Sequence, residues 1–238
     1  MPVPSWLSQD LGISHILNRS LAHFHMRIGY IRSHDAVGTL LDGFTFPNLR
    51  SLELSCGEGD RRKNPRLFGL PSLAAFMQRS TPPLLRLSLT RIWISAEVLL
   101  NVLKSTPTLQ SLQLVKPTDT LPTPMLTVEL FQNLHVCKTQ IPLVPKLSSL
   151  KVDEERLSTD LQEEFIKVIK CRDRISGVRN DVERINSIGL KIVMGVIGDK
   201  VVESLMELKT LGFLVLEGSG HGDIIARKLK QSSGVLSI

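Results

Sequence analysis

A chain of 238 residues with 42% hydrophobic and 22% charged side chains is globular in composition, which excludes intrinsic disorder as the default. Its net charge of +6 is spread along the chain, so an acidic partner is permitted but not demanded. Aromatic residues make up only 5% and leucine dominates the apolar set, which suits stacked repeats better than an aromatic-centred sandwich or barrel.

In chain order, Trp6, Leu7 and Leu11 lie in a first segment, 1–20, that reads as an N-terminal cap or a truncated unit. Pro2 and Pro4 argue against a secretory signal there, so the Asn18-Arg19-Ser20 sequon is taken as chance. From Leu21 a phrase recurs: a proline in several copies, then Leu-x-x-Leu-x-Leu. It stands at Leu21/Phe24/Met26, Leu49/Leu52/Leu54, Leu84/Leu87/Leu89, Leu109/Leu112/Leu114, Leu147/Leu150/Val152, Ile185/Ile188/Leu190 and Leu211/Leu214/Leu216. This is the strand half of a leucine-rich repeat. Successive starts are 28, 35, 25, 38, 38 and 26 residues apart, an irregular series whose extra length is expected in loops such as 57–67. The Asn that usually follows the strand is replaced by Gly57, Ile92 and Pro117 in the strict copies, so the turn groups need other partners.

Between the phrases run helical sets. Val37/Leu40/Leu41 stops at Gly43, Leu73/Phe76/Met77 precedes Pro82-Pro83, and Leu99/Val102/Leu103 follows Ser95 as N-cap. Leu126/Leu130/Leu134 precedes Pro145, Thr159-x-x-Gln162 is a capping box before Leu161/Phe165/Val168/Ile169, and Leu205/Met206/Leu208 leads into the last strand. Phe131/Leu134/Val136 also fits the relaxed phrase but falls too close to Leu147 for a helix and a return. The prolines break each helix and favour an extended residue before the strand. The expected fold is therefore α/β: an irregular leucine-rich-repeat solenoid, or horseshoe, of about seven units. Parallel strands line the concave side and short helices the convex side, in one domain with repeats at 21–216 and a C-terminal tail or cap at 217–238.

Candidate chemistry is sparse. Cys56, Cys137 and Cys171 are odd in number and outside metal-ligand spacing, and read as reduced thiols of a cytoplasmic or nuclear protein. The longest apolar stretch, Ile188 to Ile197, is interrupted by Lys191 and too short to span a bilayer, so no membrane partner is expected. Arg61-Arg62-Lys63 with Arg66 reads as a solvated loop, with nucleic acid or a membrane surface the minority reading. His23 and His25 share a strand face but lack a third metal ligand. Glu217-Gly218-Ser219-Gly220-His221-Gly222-Asp223 follows a strand as phosphate loops do, yet Asp223 stands where a third glycine is needed. No positive case for an enzyme or a cofactor emerges. What remains is the face between the buried leucines: His23, His25, Ser51, Glu53, Arg86, Ser88, Ser111, Gln113, Ser149 and Lys151, continuing through Ser187, Gly189, Phe213 and Val215. These are the expected partner-binding positions.

The segments FPNLRSLEL, FMQRSTPPLLRLSLTRIWIS, VLLNVLKSTPTLQSLQL and LVPKLSSLKV resemble the leucine-rich region of the large, divergent F-box proteins of mushroom-forming fungi. EEFIKVIKCRDR, GVRNDVERINSIGLKI and GFLVLE are similar to that family's C-terminal end. The resemblance implies a non-catalytic module that holds the protein substrate of a ubiquitin ligase. It implies a Skp-family adaptor as partner only if an F-box lies outside this chain, because too few residues precede Leu21 to hold one. No functional residue carries over. The alternatives are a small nucleotide-binding or enzymatic α/β domain using the Gly218–Gly222 loop, or a truncated gene product without a separate role.

Overall fold

The computed structural model describes residues 16–28, 36–56, 71–92, 94–115, 125–135, 143–154, 158–192, 199–210 and 214–216. They form an α/β arrangement. Strand β1 is Ile16–Leu17, β2 His23–Ile28, β3 Phe44–Thr45, β4 Ser51–Cys56, β5 Arg86–Thr90 and β6 Ser111–Val115. Strand β7 is Ser149–Glu154, β8 Ser187–Ile192 and β9 Leu214–Leu216. The helices are α1 Ala36–Asp42, α2 Pro71–Ser80, α3 Ala96–Lys104, α4 Val128–Leu134, α5 Thr159–Ser176 and α6 Asp199–Thr210. Seven strands make one parallel sheet in the order β2-β4-β5-β6-β7-β8-β9, each next to its successor, with one helix in every crossover.

Strand alternation puts the leucines on one face. Phe24, Leu52, Leu87, Leu112, Leu150 and Ile188 lie in one register row, and Met26, Leu54, Leu89, Leu114, Val152 and Leu190 in the next. From Leu52 to Leu190 these side chains are buried, and all six helices contribute buried residues to the same core. The helices therefore cover the leucine face, and each such leucine is worth about 1.5–3 kcal/mol of burial. Neighbouring helices pack on one another except α3 and α4, which make at most a marginal contact. Four phenylalanines gather at the first end, where the Phe46 ring centroid lies 5.3, 5.2 and 5.8 Å from those of Phe24, Phe44 and Phe76.

The prolines do more than break helices. Pro47, Pro107 and Pro145 each follow a carbonyl that accepts from the N–H three residues on: Phe46 from Leu49, Thr106 from Leu109, Val144 from Leu147. Proline thus occupies the second position of a turn, where its fixed φ suits it. Just beyond each turn, one carbonyl of the preceding unit accepts two successive N–H groups. Ala22 O takes Arg50 and Ser51, Arg50 O takes Leu85 and Arg86, and Leu85 O takes Gln110 and Ser111. Gln110 O takes Ser148 and Ser149, and Ser148 O takes Asn186 and Ser187. This ladder of shared acceptors fixes the stagger of successive strands.

Ser95 caps α3 by accepting from Val98 N, and Phe131 and Leu134 lie in α4 rather than in a strand, as the sequence indicates. Several expectations change. The cap of α5 is Ser158, whose Oγ accepts from Leu161 N, so the helix begins at Thr159, one residue earlier than a capping box led by Thr159 requires. Leu40 is exposed, because the short α1 buries only Val37 and Leu41. The long β7–β8 interval is filled by the 18-residue α5 rather than by a loop. In β9 the register moves by one: Ile188 pairs with Val215, and Leu214 and Leu216 pair with Ser187 and Gly189. Val215 is thus aligned with the core row and not with the open row, because a one-residue slip exchanges the two faces of a strand. Strand β1 pairs with β3 in a separate two-stranded sheet that the pattern does not announce. Where a turn asparagine is missing, Arg91 takes a left-handed φ of 59° and its N–H bonds Val115 O, with Ile92 buried behind it.

A buried cation completes the core. Arg172 of α5 is fully buried and donates from Nη2 to Val144 O at 2.9 Å and from Nε to Leu134 O at 3.4 Å. Removal from water pulls its guanidinium down to about 10. It holds together the two ends of the connection from α4 to β7.

Candidate functional site

The face opposite the helices is open, and the parallel register arranges its side chains in rows across the strands. One row reads His23, Ser51, Arg86, Ser111, Ser149 and Ser187. The second reads His25, Glu53, Ser88, Gln113, Lys151 and Gly189, and the third Arg27, Ser55, Thr90, Val115 and Asp153. With strands about 4.8 Å apart, neighbours in a row are within reach of one ligand group.

A groove of ≈ 540 Å³ lies along the first two rows. Ser51, Glu53, Arg86, Ser88, Ser111, Gln113 and Ser149, all named from the sequence, line it. Gln110 and Ser148 join them. Both precede a strand at the position whose carbonyl forms the shared-acceptor ladder, and Ser148 Oγ donates to Gln110 O. The phrase hides them, because its pattern marks only leucines. A residue just before the strand is found once the ladder is known.

The groove floor is made of hydroxyls, each able to donate and accept, with the Gln113 amide beside them. Its charges are Glu53 and Arg86. Glu53 Oε1 lies 3.8 Å from His25 Nε2, which is 3.5 Å from Ser55 Oγ. The Arg86 guanidinium is exposed and makes no hydrogen bond or ion pair among the described residues. It offers five donors in a planar fork, the geometry that takes a carboxylate with two bonds.

His23, His25 and Lys151 lie outside this groove. The histidines stand exposed on the edge strand β2. Among the described residues, no three His, Cys, Asp or Glu side chains come together as a metal site. Lys151 lies over Gly189, where an added Cβ would come within 2.9 Å of Lys151 Cγ. Gly189 thus leaves room for the lysine stem and is itself buried in the second row. Phe213, the Gly218–Gly222 loop, the Arg61–Lys63 cluster and Trp6 lie outside the described residues.

No helix among the described residues is long and apolar enough to cross a membrane. No family model, no curated protein and no solved structure matches this chain.

Proposed function

We propose that the sheet and its helices are a leucine-rich-repeat solenoid whose open face is a protein-interaction surface. The observation that carries this is the open face itself: consecutive strands in one register present small hydroxyls around Arg86, which is unpaired among the described residues, over a groove that none of the described helices covers. Serines leave space for close approach of a partner backbone, and Arg86 supplies the kind of side chain on which binding energy concentrates. The resemblance to the repeat region of fungal F-box proteins gives this surface the role of holding a ubiquitin-ligase substrate. On that reading a Skp-family adaptor is a partner only if an F-box lies outside this chain.

The test uses the whole chain with a photo-crosslinking residue at Ser111 and, as control, at Gln78 on the exposed side of α2. A partner captured only from Ser111 is purified and titrated against the chain. Arg86→Ala and Gln113→Ala should each weaken that partner about tenfold, and Gln78→Ala should leave it unchanged. Equal capture at both positions, or a partner indifferent to Arg86, would overturn the assignment. Direct binding of a purified Skp-family adaptor to this chain would overturn the division of labour with an F-box.

A further inference from the structure

A second cavity, ≈ 630 Å³, lies on the helical side against the second half of α5. At 18 residues α5 is the longest helix among the described residues, about 27 Å at 1.5 Å per residue. Its last turns leave the main core and build a small satellite cluster of Cys171, Ile175 and Val182. The chain stays turned beyond Ser176, since Val178 and Arg179 N–H both bond Ile175 O at 2.8 Å.

Two stripes of side chains bound this cavity. Lys167, Lys170 and Arg174, spaced i, i+3, i+7, form a basic flank, and Cys171 and Ile175 with Val178 form an apolar one beside it. Val178 is 75% exposed, the most exposed large hydrophobic side chain among the described residues. Arg179 and His135 also line the cavity, and among the described residues no carboxylate does, although Glu164 Oε2 lies 3.5 Å from His135 Nε2.

The flanking cations are not equivalent. Lys167 Nζ is 2.6 Å from Glu164 Oε1, Lys170 Nζ 2.6 Å from Glu207 Oε2, and Arg179 Nη2 2.6 Å from Asp181 Oδ2. Arg174 makes no hydrogen bond or close ion pair among the described residues, although its charge also acts on the Glu207 carboxylate that Lys170 holds. A guanidinium without a hydrogen-bonded partner among the described residues, beside an apolar strip of buried Ile175, half-buried Cys171 and exposed Val178, calls for a ligand with one anionic head and a hydrocarbon body. The volume falls within the range of about 300–1,000 Å³ typical of small-molecule sites. A docked protein would need a total interface of about 1,200 Å² or more, larger than so compact a lining suggests.

We infer that this cavity binds a small amphipathic monocarboxylate, its head on Arg174 and its chain over Cys171, Ile175 and Val178. The site is separate from the open face of the sheet and independent of what that face binds.

The probe is decanoate, titrated calorimetrically into the full chain below its micelle concentration, with decanol and acetate as controls. Decanoate should saturate with Kd below about 1 mM, while decanol lacks the head, acetate lacks the chain, and each binds at least about tenfold more weakly. Arg174→Gln and Val178→Asp should each weaken decanoate about tenfold, with thermal midpoints unchanged because both side chains are exposed. On the unmodified chain, decanoate should slow alkylation of Cys171 by iodoacetamide and leave Cys56 as fast as before, which locates the site without any substitution. Non-saturating decanoate, decanol binding as tightly as decanoate, equal rates at Cys171 with and without decanoate, or well-folded Arg174→Gln that binds normally would each overturn the proposal.

Discussion

Arg79 and Arg172 each reach from one helix back to a carbonyl in the last turn of the helix before it and to a second carbonyl beyond that helix. Arg79 of α2 donates from Nη2 to Leu41 O at 2.7 Å and to Phe44 O at 3.1 Å, beside Asp42 at 3.9 Å. Arg172 of α5 donates to Leu134 O and Val144 O in the same way. Both place a cation at the negative end of a helix dipole. The surroundings differ: the Arg79 side chain is 31% exposed, whereas Arg172 is 0% exposed with Nη1 lacking a partner. Water shares the work at the first clip and is excluded from the second. The same two bonds therefore become a modest convenience in one place and a dependency in the other.

The largest effect should come from Arg172→Ala, which opens a cavity and strips two buried carbonyls, a loss of about 3–4 kcal/mol in urea unfolding. Arg172→Met keeps most of the volume and removes the desolvated charge, leaving only the carbonyl deficit of about 1–2 kcal/mol. If the two variants were equally unstable, the lost hydrogen bonds to the carbonyls rather than packing would rule the site. Arg79→Ala should cost about 1 kcal/mol or less, since solvent can replace its bonds; a loss matching that of Arg172→Ala would erase the contrast.

The smallest effect belongs to a third clip, where Lys170, as exposed as Arg79, joins α5 to Ser204 and to the more exposed Glu207 of α6. The Lys170 hydrogen bond holds the Glu207 carboxyl below its ordinary range. Its small contribution is present above the unfolded carboxyl value and fades as pH falls through the lower folded one. Glu207→Gln should be close to neutral at pH 7 and flatten this acid limb of the stability profile, as read by thermal melts across pH. An unchanged acid limb would show that the pair does not couple the helices.

Much of this was legible in advance. The leucine phrase marks six of the seven long-sheet strands in their observed register, and Ser95 and the Leu73/Phe76/Met77 stripe behave as their spacing says. The exceptions share a cause. At β9 the local pattern gives Leu214 the core phase, yet pairing with β8 aligns Val215 with Ile188, because register is settled between strands and not within one. Arg172 continues the stripe Phe165/Val168/Ile169 at seven residues from Phe165, so a cation in an apolar phase was a visible signal of a buried clip. Its acceptors were not visible, since backbone carbonyls carry no sequence label. The groove was half legible: seven of its lining residues follow from alternation, whereas Gln110 and Ser148 enter through the ladder beside them.

By itself the sequence determined the alternation of faces, the helix between each pair of strands, and the proline turns that separate them. All of these follow from sterics and hydrophobic spacing within a few residues. The tertiary structure decided which groups meet across the crossovers: the Arg172 guanidinium with carbonyls 28 and 38 positions away, the shared acceptors between units, the polar groove, and the amphipathic cavity on α5. Such meetings depend on how the helices stack and how far each strand slides against the last. Those quantities are set by packing the whole core at once, and no local stretch of sequence contains them.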